Sequence, residues 1–266
     1  MTTSRSLPTL PGAWAQALWR RAQSWWHLLH FGAVAVVLML SPSSYDASRR
    51  SRTAHTIHAT TWQVLPWFTV LTALLSLVLI RIVVVTAVSY GLSQYALEMV
   101  VRVLVLELIP LSAALFVTLR AGLAFNAGAL PTGPSEPPLP ARGASLQRLR
   151  QGLLAQVTGN VFSVLALAVI SSVVALVLAY LLVYGVSPWG LPGYARTVGR
   201  VFEPIVAFGF ALKTVLFALA VAVVPAAASL EPQTQGAAAS TVQPGAVRLF
   251  LVLLLIEAAS LTLRYF

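Results

Sequence analysis

Two ionisable residues stand in runs that are otherwise apolar. Glu107 lies in Arg102-Val-Leu-Val-Leu-Glu107-Leu-Ile-Pro110, and Lys213 lies in Phe208-Gly-Phe-Ala-Leu-Lys213-Thr-Val-Leu-Phe217. A charge at the middle of a membrane-spanning helix costs about 2.5–3.5 kcal/mol on insertion scales, so a chain keeps one where a cavity or a partner uses it. The four-carbon stem of Lys213 reaches Glu107 if the two spans are neighbours, and that ion pair is the first expectation. Glu257 in the last span and Arg81 in the first are the alternative partners. Glu107 lies five residues beyond Arg102, about 7–8 Å deeper at 1.5 Å per residue, too far for its short stem to snorkel back. Pro110 leaves the carbonyl of Leu106 without its helical donor and is expected to bend the helix beside the carboxylate. A bent helix carrying a buried acid suits a cavity or a moving interface, and equally a structural ion pair that locks two helices.

Other charges read as anchors. Glu98 and Arg102 are four apart and can pair on one helical face. Arg102 and Arg120 fall five α-helical turns apart on one face, about 27 Å, near opposite headgroup layers where arginine snorkels. His55 and His58 are three apart, but no carboxylate or cysteine stands close by, so no metal site is expected. The chain has no cysteine, which excludes disulfides, thiol catalysis and thiolate metal sites. It has no phosphate-cradling glycine loop with lysine, no Gly-x-Ser-x-Gly elbow and no His-Glu-x-x-His. ATP hydrolysis by this chain itself is not expected.

The elements that must position these residues are membrane helices. Hydrophobic residues make up 58% of the 266 and charged ones 9%, with a mean hydropathy of +0.85, against about 25% charge in a soluble domain. The expected fold is an all-α, polytopic membrane helical bundle. Five runs, 62–88, 100–126, 153–184, 202–228 and 246–265, exceed the roughly 18–20 residues a bilayer needs. Residues 1–61 form a separate N-terminal region. In it, Trp14, Trp19, Trp25 and Trp26 mingle with Arg20 and Arg21, the composition of an interfacial elbow helix. The apolar run 31–40 after it is too short to cross, so the two together read as an elbow dipping into one leaflet. Residues 62–266 form the five-span domain.

Between spans, 129–144 carries Pro131, Pro134, Pro137, Pro138 and Pro140 and cannot be helical throughout. Residues 187–193 read as a compact turn with Trp189 at interface depth, and 230–245 as a small polar connection. The net charge of +10 is not a nucleic-acid signature, because the basic residues lie within or beside apolar spans. Arg5, Arg20, Arg21, Arg49, Arg50 and Arg52 precede the first span, and Arg142, Arg148 and Arg150 follow the second. The positive-inside rule then puts the N-terminus and the proline-rich connection in the cytoplasm and the Trp189 turn on the far side.

These residues resemble the MlaE family of ABC-transporter permeases, which serve lipid transport between bacterial membranes. The family's Glu-x-x-Pro segment is similar to Glu107-Leu-Ile-Pro110, its following Arg-x-Gly to Arg120-Ala-Gly122, and its late lysine-bearing span to Leu212-Lys213-Thr-Val-Leu-Phe217. The resemblance covers roughly residues 60–266. It implies a homodimer of five-span subunits in the bacterial inner (cytoplasmic) membrane, enclosing a cavity for phospholipid. It further implies a separate ABC ATPase subunit that binds ATP and Mg, with no cofactor in this chain, and an MCE-domain substrate-binding protein on the outer face. In that picture Glu107 and Lys213 tune the cavity and Pro110 marks a bend that shifts during transport. The stretch 129–150, with Arg142, Arg148 and Arg150, meets the ATPase or holds anionic lipid.

Two departures stand out. The family's acidic stretch after Arg-x-Gly is replaced here by proline-rich 128–143, with only Glu136 acidic, and the residue before the motif glutamate is Leu106 rather than arginine. The first bears on coupling to an ATPase. A non-transporting scaffold or assembly subunit derived from such a permease is therefore the alternative reading, and an intramembrane enzyme with Glu107 as general base is a third.

Overall fold

A computed structural model describes residues 65–128, 142–230 and 245–265, with side chains at 65–121, 157–228 and 245–263. All belong to one compact unit, Tyr45–Phe266. The expected elbow, the region 1–61, the histidines and most of the proline-rich connection lie outside the described residues, which contain helices and no strand.

The helices are α1 (Leu65–Ser89), α2 (Ser93–Val100), a π-helical segment (Val101–Leu108), α3 (Ile109–Gly128), α4 (Arg142–Tyr184), a 3-10 turn (Pro188–Gly190), α5 (Leu191–Val201), α6 (Pro204–Leu230) and α7 (Ala246–Tyr265). Among the described residues, five stretches are long and apolar enough to cross a membrane: Leu65–Ser89, Ser93–Ala121, Val157–Tyr184, Pro204–Ala228 and Ala246–Leu263. The architecture is an all-α polytopic bundle.

Three differences from the sequence reading have physical reasons. The second span begins at Ser93 rather than near 100, because Gly91 (φ 73°) makes a tight reversal directly after α1. Its neighbour closes that reversal, the Leu92 amide donating to the Ala87 carbonyl at 2.7 Å, and only glycine adopts that left-handed conformation freely. The helix of the third span starts at Arg142, so Arg142, Arg148 and Arg150 lie on the first turns of α4 and not on a loop. No proline follows Pro140 there, and Leu146-Gln-Arg-Leu-Arg-Gln is made of good helix formers. Finally, the compact Trp189 turn leads into a complete helix, α5. Its signal was present in Leu191, Tyr194, Val198 and Val201, an apolar stripe at helical spacing opposite Arg196 and Arg200.

Helix α4 is the central element and packs against α1, α2, the π segment, α3 and α6. Many of its buried residues are small, with Ala168, Ser171, Ala175 and Ala179 at 0% exposure beside the larger Val164 and Leu167. On α1, Thr72, Ser76 and Ile80 recur every four residues and are buried, while Leu74, Val78, Ile82 and Val85 are exposed. Lipid tails are as apolar as leucine, so membrane helices gain from close backbone approach rather than from hiding large side chains. Small and hydroxyl residues accordingly line the contact of α1 with α4, while the outward side of α1 is leucine, isoleucine and valine.

Helix α5 is fastened across one end of the bundle. Tyr194 donates its hydroxyl to the Leu176 carbonyl at 2.8 Å, and Tyr180 donates to the Ser187 carbonyl at 2.6 Å. The rings of Tyr180 and Tyr194 meet edge to face with centroids 5.1 Å apart. Burial pushes the Tyr194 phenol up to about 12. Replacing Tyr194→Phe removes one partly buried hydrogen bond and is expected to cost about 1 kcal/mol, a fall of about 2–4 °C in the unfolding midpoint of the detergent-solubilised protein. Gly190→Val is expected to cost about 1–3 kcal/mol, because a Cβ there falls 2.7 Å from Cδ1 and 2.9 Å from Cβ of Tyr184. The raised phenol makes wild-type stability fully present below the ordinary tyrosine pKa near 10 and lost as pH rises through about 12. The Tyr194→Phe protein lacks that alkaline limb, and identical alkaline melting curves for the two would contradict the docking described.

Candidate functional site

The charges gather where three spans meet. Lys213 lies nine residues from the start of α6 at Pro204, about 14 Å along the axis, and Glu257 lies eight residues before the end of α7, about 12 Å. The connectivity makes α6 and α7 antiparallel, so these two residues arrive at similar depth. Glu107 comes from the π-helical segment. The Lys213 side chain is 3% exposed, and those of Glu107 and Glu257 are each 15% exposed.

Lys213 Nζ donates to Glu107 Oε2. It also lies 2.8 Å from Glu257 Oε2, an ion-pair contact whose carboxylate oxygen makes no hydrogen bond. The ammonium further sits 5.7 Å from the centre of the fully buried Phe217 ring, close enough for a cation–π contribution. Glu107 and Glu257, weighed in the sequence as competing partners for the lysine, therefore share it. Arg81 takes no part: it lies on the exposed side of α1. With all three groups ionised, two carboxylates face one ammonium, and the solvent-accessible edge of the cluster is carboxylate. Such a site presents acceptor oxygens to whatever enters, while the lysine holds two helices to a third.

The helix before Pro110 is not the bent α-helix expected. Residues Val101–Leu108 form wide π-helical turns, and the Ile109 amide bonds the carbonyl of Leu104, five residues back. Proline lacks an amide hydrogen, and its ring collides with the carbonyl four residues earlier, so a wider turn upstream relieves the clash. Glu107 is thereby carried on the wide-turned part of the helix. Wide π turns are rare and concentrate at functional sites. The five-turn spacing between Arg102 and Arg120 assumed an unbroken α-helix, and the π segment interrupts that count.

The remaining predicted residues fall outside the cluster. Arg102 is on an exposed face, 2.8 Å from Glu98 one turn earlier; an exposed pair of that kind contributes only about 0.3–0.5 kcal/mol. Arg120 is half-buried on α3, and Gly122 follows it on the same helix. Arg142, Arg148 and Arg150 occupy the start of α4. Among the described residues no group of three histidine, aspartate or glutamate side chains could hold a metal ion.

Lys213→Met leaves two carboxylates facing one another without their counter-ion and is expected to destabilise by about 3–5 kcal/mol. Removing all three charges together (Glu107→Gln, Lys213→Met, Glu257→Gln) is expected to recover most of that loss in thermal unfolding of the purified protein. A triple variant less stable than Lys213→Met would mean that the three groups are not one electrostatic unit.

The family profile described as Permease MlaE matches residues 53–130 and 142–263. The interval between the two matched blocks, 131–141, coincides with the proline-rich stretch. No curated protein matches the chain. The matched blocks span most of the sequence, including Glu107, Pro110, Arg120, Lys213 and Glu257, and the chain belongs to the MlaE permease family.

Proposed function

We propose that this permease is the membrane subunit of an ABC transporter that moves phospholipid between bacterial membranes, working as a homodimer in the inner membrane. The observation that carries the reading is the cluster of Lys213 with Glu107 and Glu257, placed at mid-span on three separate helices. A simple anchor has no use for three ionisable groups at that depth. A lipid carrier uses them to offer fixed polar partners to a headgroup passing through an apolar region.

The exposed side of α7 supports a second copy of the chain. This helix packs chiefly on α6, while Val247, Phe250, Leu251, Leu254 and Leu255 face outward. Because Glu257 belongs to it, dimerisation along α7 would bring two charge clusters to the walls of one shared cavity. The π-helical segment supplies a means of change. Tightening it to α-helical geometry alters the register by one residue, about 100° of rotation, and would turn Glu107 relative to Lys213.

Power would come from a separate ATPase subunit meeting the 129–150 side of the bundle, with an MCE-domain protein at the opposite, outer face. The arginine distribution supports a cytoplasmic N-terminus. A scaffold that binds these partners without transporting is the second reading, favoured by one observation: the match to the family breaks over 131–141.

Purification from native membranes in mild detergent is expected to recover an ATPase subunit and an MCE-domain protein, with ATPase activity stimulated by phospholipid. Glu257→Gln is expected to reduce that stimulation at least tenfold while leaving the complex assembled. Partners recovered without any lipid stimulation would select the scaffold, and an intact preparation without either partner would remove the transporter reading.

A further inference from the structure

Every described tyrosine side chain lies at one end of the bundle. Tyr90 follows α1, Tyr95 is in the first turn of α2, Tyr180 and Tyr184 end α4, and Tyr194 is in α5. Trp189 is at the same end and is 89% exposed, as is Val186. Leu191, the first residue of α5, and Ile205, shortly after its end, are also exposed. Helix α5 turns Tyr194, Val198 and Val201 toward the core, and Arg196 and Arg200, one turn apart, are exposed on its other side. Neither arginine makes an ion pair among the described residues. Of the acids on elements beside α5, Glu98 is engaged by Arg102, and Glu203 stands exposed just past the helix end.

Water disfavours so many bare apolar side chains, and acyl chains disfavour unpaired arginines. The headgroup layer accepts both, and tyrosine and tryptophan concentrate there. We propose that α5 lies in that layer and that Arg196 and Arg200 form a binding site for an anionic glycerophospholipid of the leaflet at this end. The guanidinium groups bind its phosphate, and Trp189, Val186 and Leu191 cover the upper part of its acyl chains. Arginine's planar fork matches phosphate oxygens two at a time, which suits a retained lipid better than passing counter-ions. The site is independent of the charge cluster in the spans and of any transport by it.

The absence of cysteine makes the test specific. Ala195→Cys places one bimane label on the exposed side of α5 in the full-length chain. The protein goes into phosphatidylcholine nanodiscs containing equal mole fractions of either doxyl-labelled phosphatidylglycerol or doxyl-labelled phosphatidylcholine. Phosphatidylglycerol is expected to quench several-fold more strongly, with an upper bound of about fivefold per arginine. In Arg196→Gln/Arg200→Gln the excess is expected to vanish. Raising salt to about 0.5 M shrinks the excess in the unsubstituted protein and gives the same readout should the double variant fail to fold. Equal quenching by the two lipids, or an excess that survives both the substitutions and salt, overturns the proposal. Quenching by neither lipid also overturns it and assigns the surface to water or to a protein partner.

Discussion

An ammonium withdrawn from solvent inside an apolar bundle must be compensated where it stands, and the arrangement of Lys213 follows from that requirement. It is the only lysine in the chain, and it is nearly inaccessible. Its compensation comes from two helices at once, the π segment on one side and α7 on the other. Removing one partner from such a group is far more costly than the net gain of forming it. The cluster therefore specifies which helices are neighbours and at what register. Apolar packing alone specifies this poorly in a membrane, where a leucine is nearly as content against lipid as against protein.

Close packing supplies the rest of the specificity. The small residues of α4 allow α1 and α6 to approach it closely, and larger side chains such as Phe68, Ile109 and Phe217 fill the remaining core. Together the two devices divide the labour. Small-residue seams set how near the helices come, and the charges set how they are aligned. Directly upstream of Pro110 the chain runs as π-helix over eight residues. That places Glu107 on the part of the bundle whose hydrogen-bond register has a nearby alternative, next to the group it neutralises. The wide turn and the ion pair thus meet at one residue.

The two ends of the bundle differ in chemistry. One end carries tyrosines and a fastened amphipathic helix with outward arginines. The other carries the end of α3 and the arginine-bearing start of α4, and in sequence the family match is interrupted between them, over 131–141. The family match covers the spans on both sides of that interval. Helix α7 adds an asymmetry of its own, since it has a neighbour on one side and bears part of the charge cluster.

The sequence by itself determined the membrane class, the five spans and the candidate charges, because each follows from local composition. Twenty apolar residues in a row have few alternatives, and a glutamate or lysine within them is visible without any fold. The Glu107–Lys213 pairing was legible as a possibility from stem length and span position. Whether Glu257 competed with Glu107 or joined it was not, since that depends on which helices lie against α6. The π segment was also hidden: Pro110 announces a disruption, but how many turns absorb it depends on what packs around them. Helix α5 had a readable apolar stripe, obscured by the Pro-Trp-Gly-Leu-Pro run that opens it. Tertiary structure decided the sharing of one ammonium by two acids, the extent of the π segment and the fastening of α5. The first depends on distances between segments far apart in the chain, and the other two on what packs around them, which local propensity does not encode.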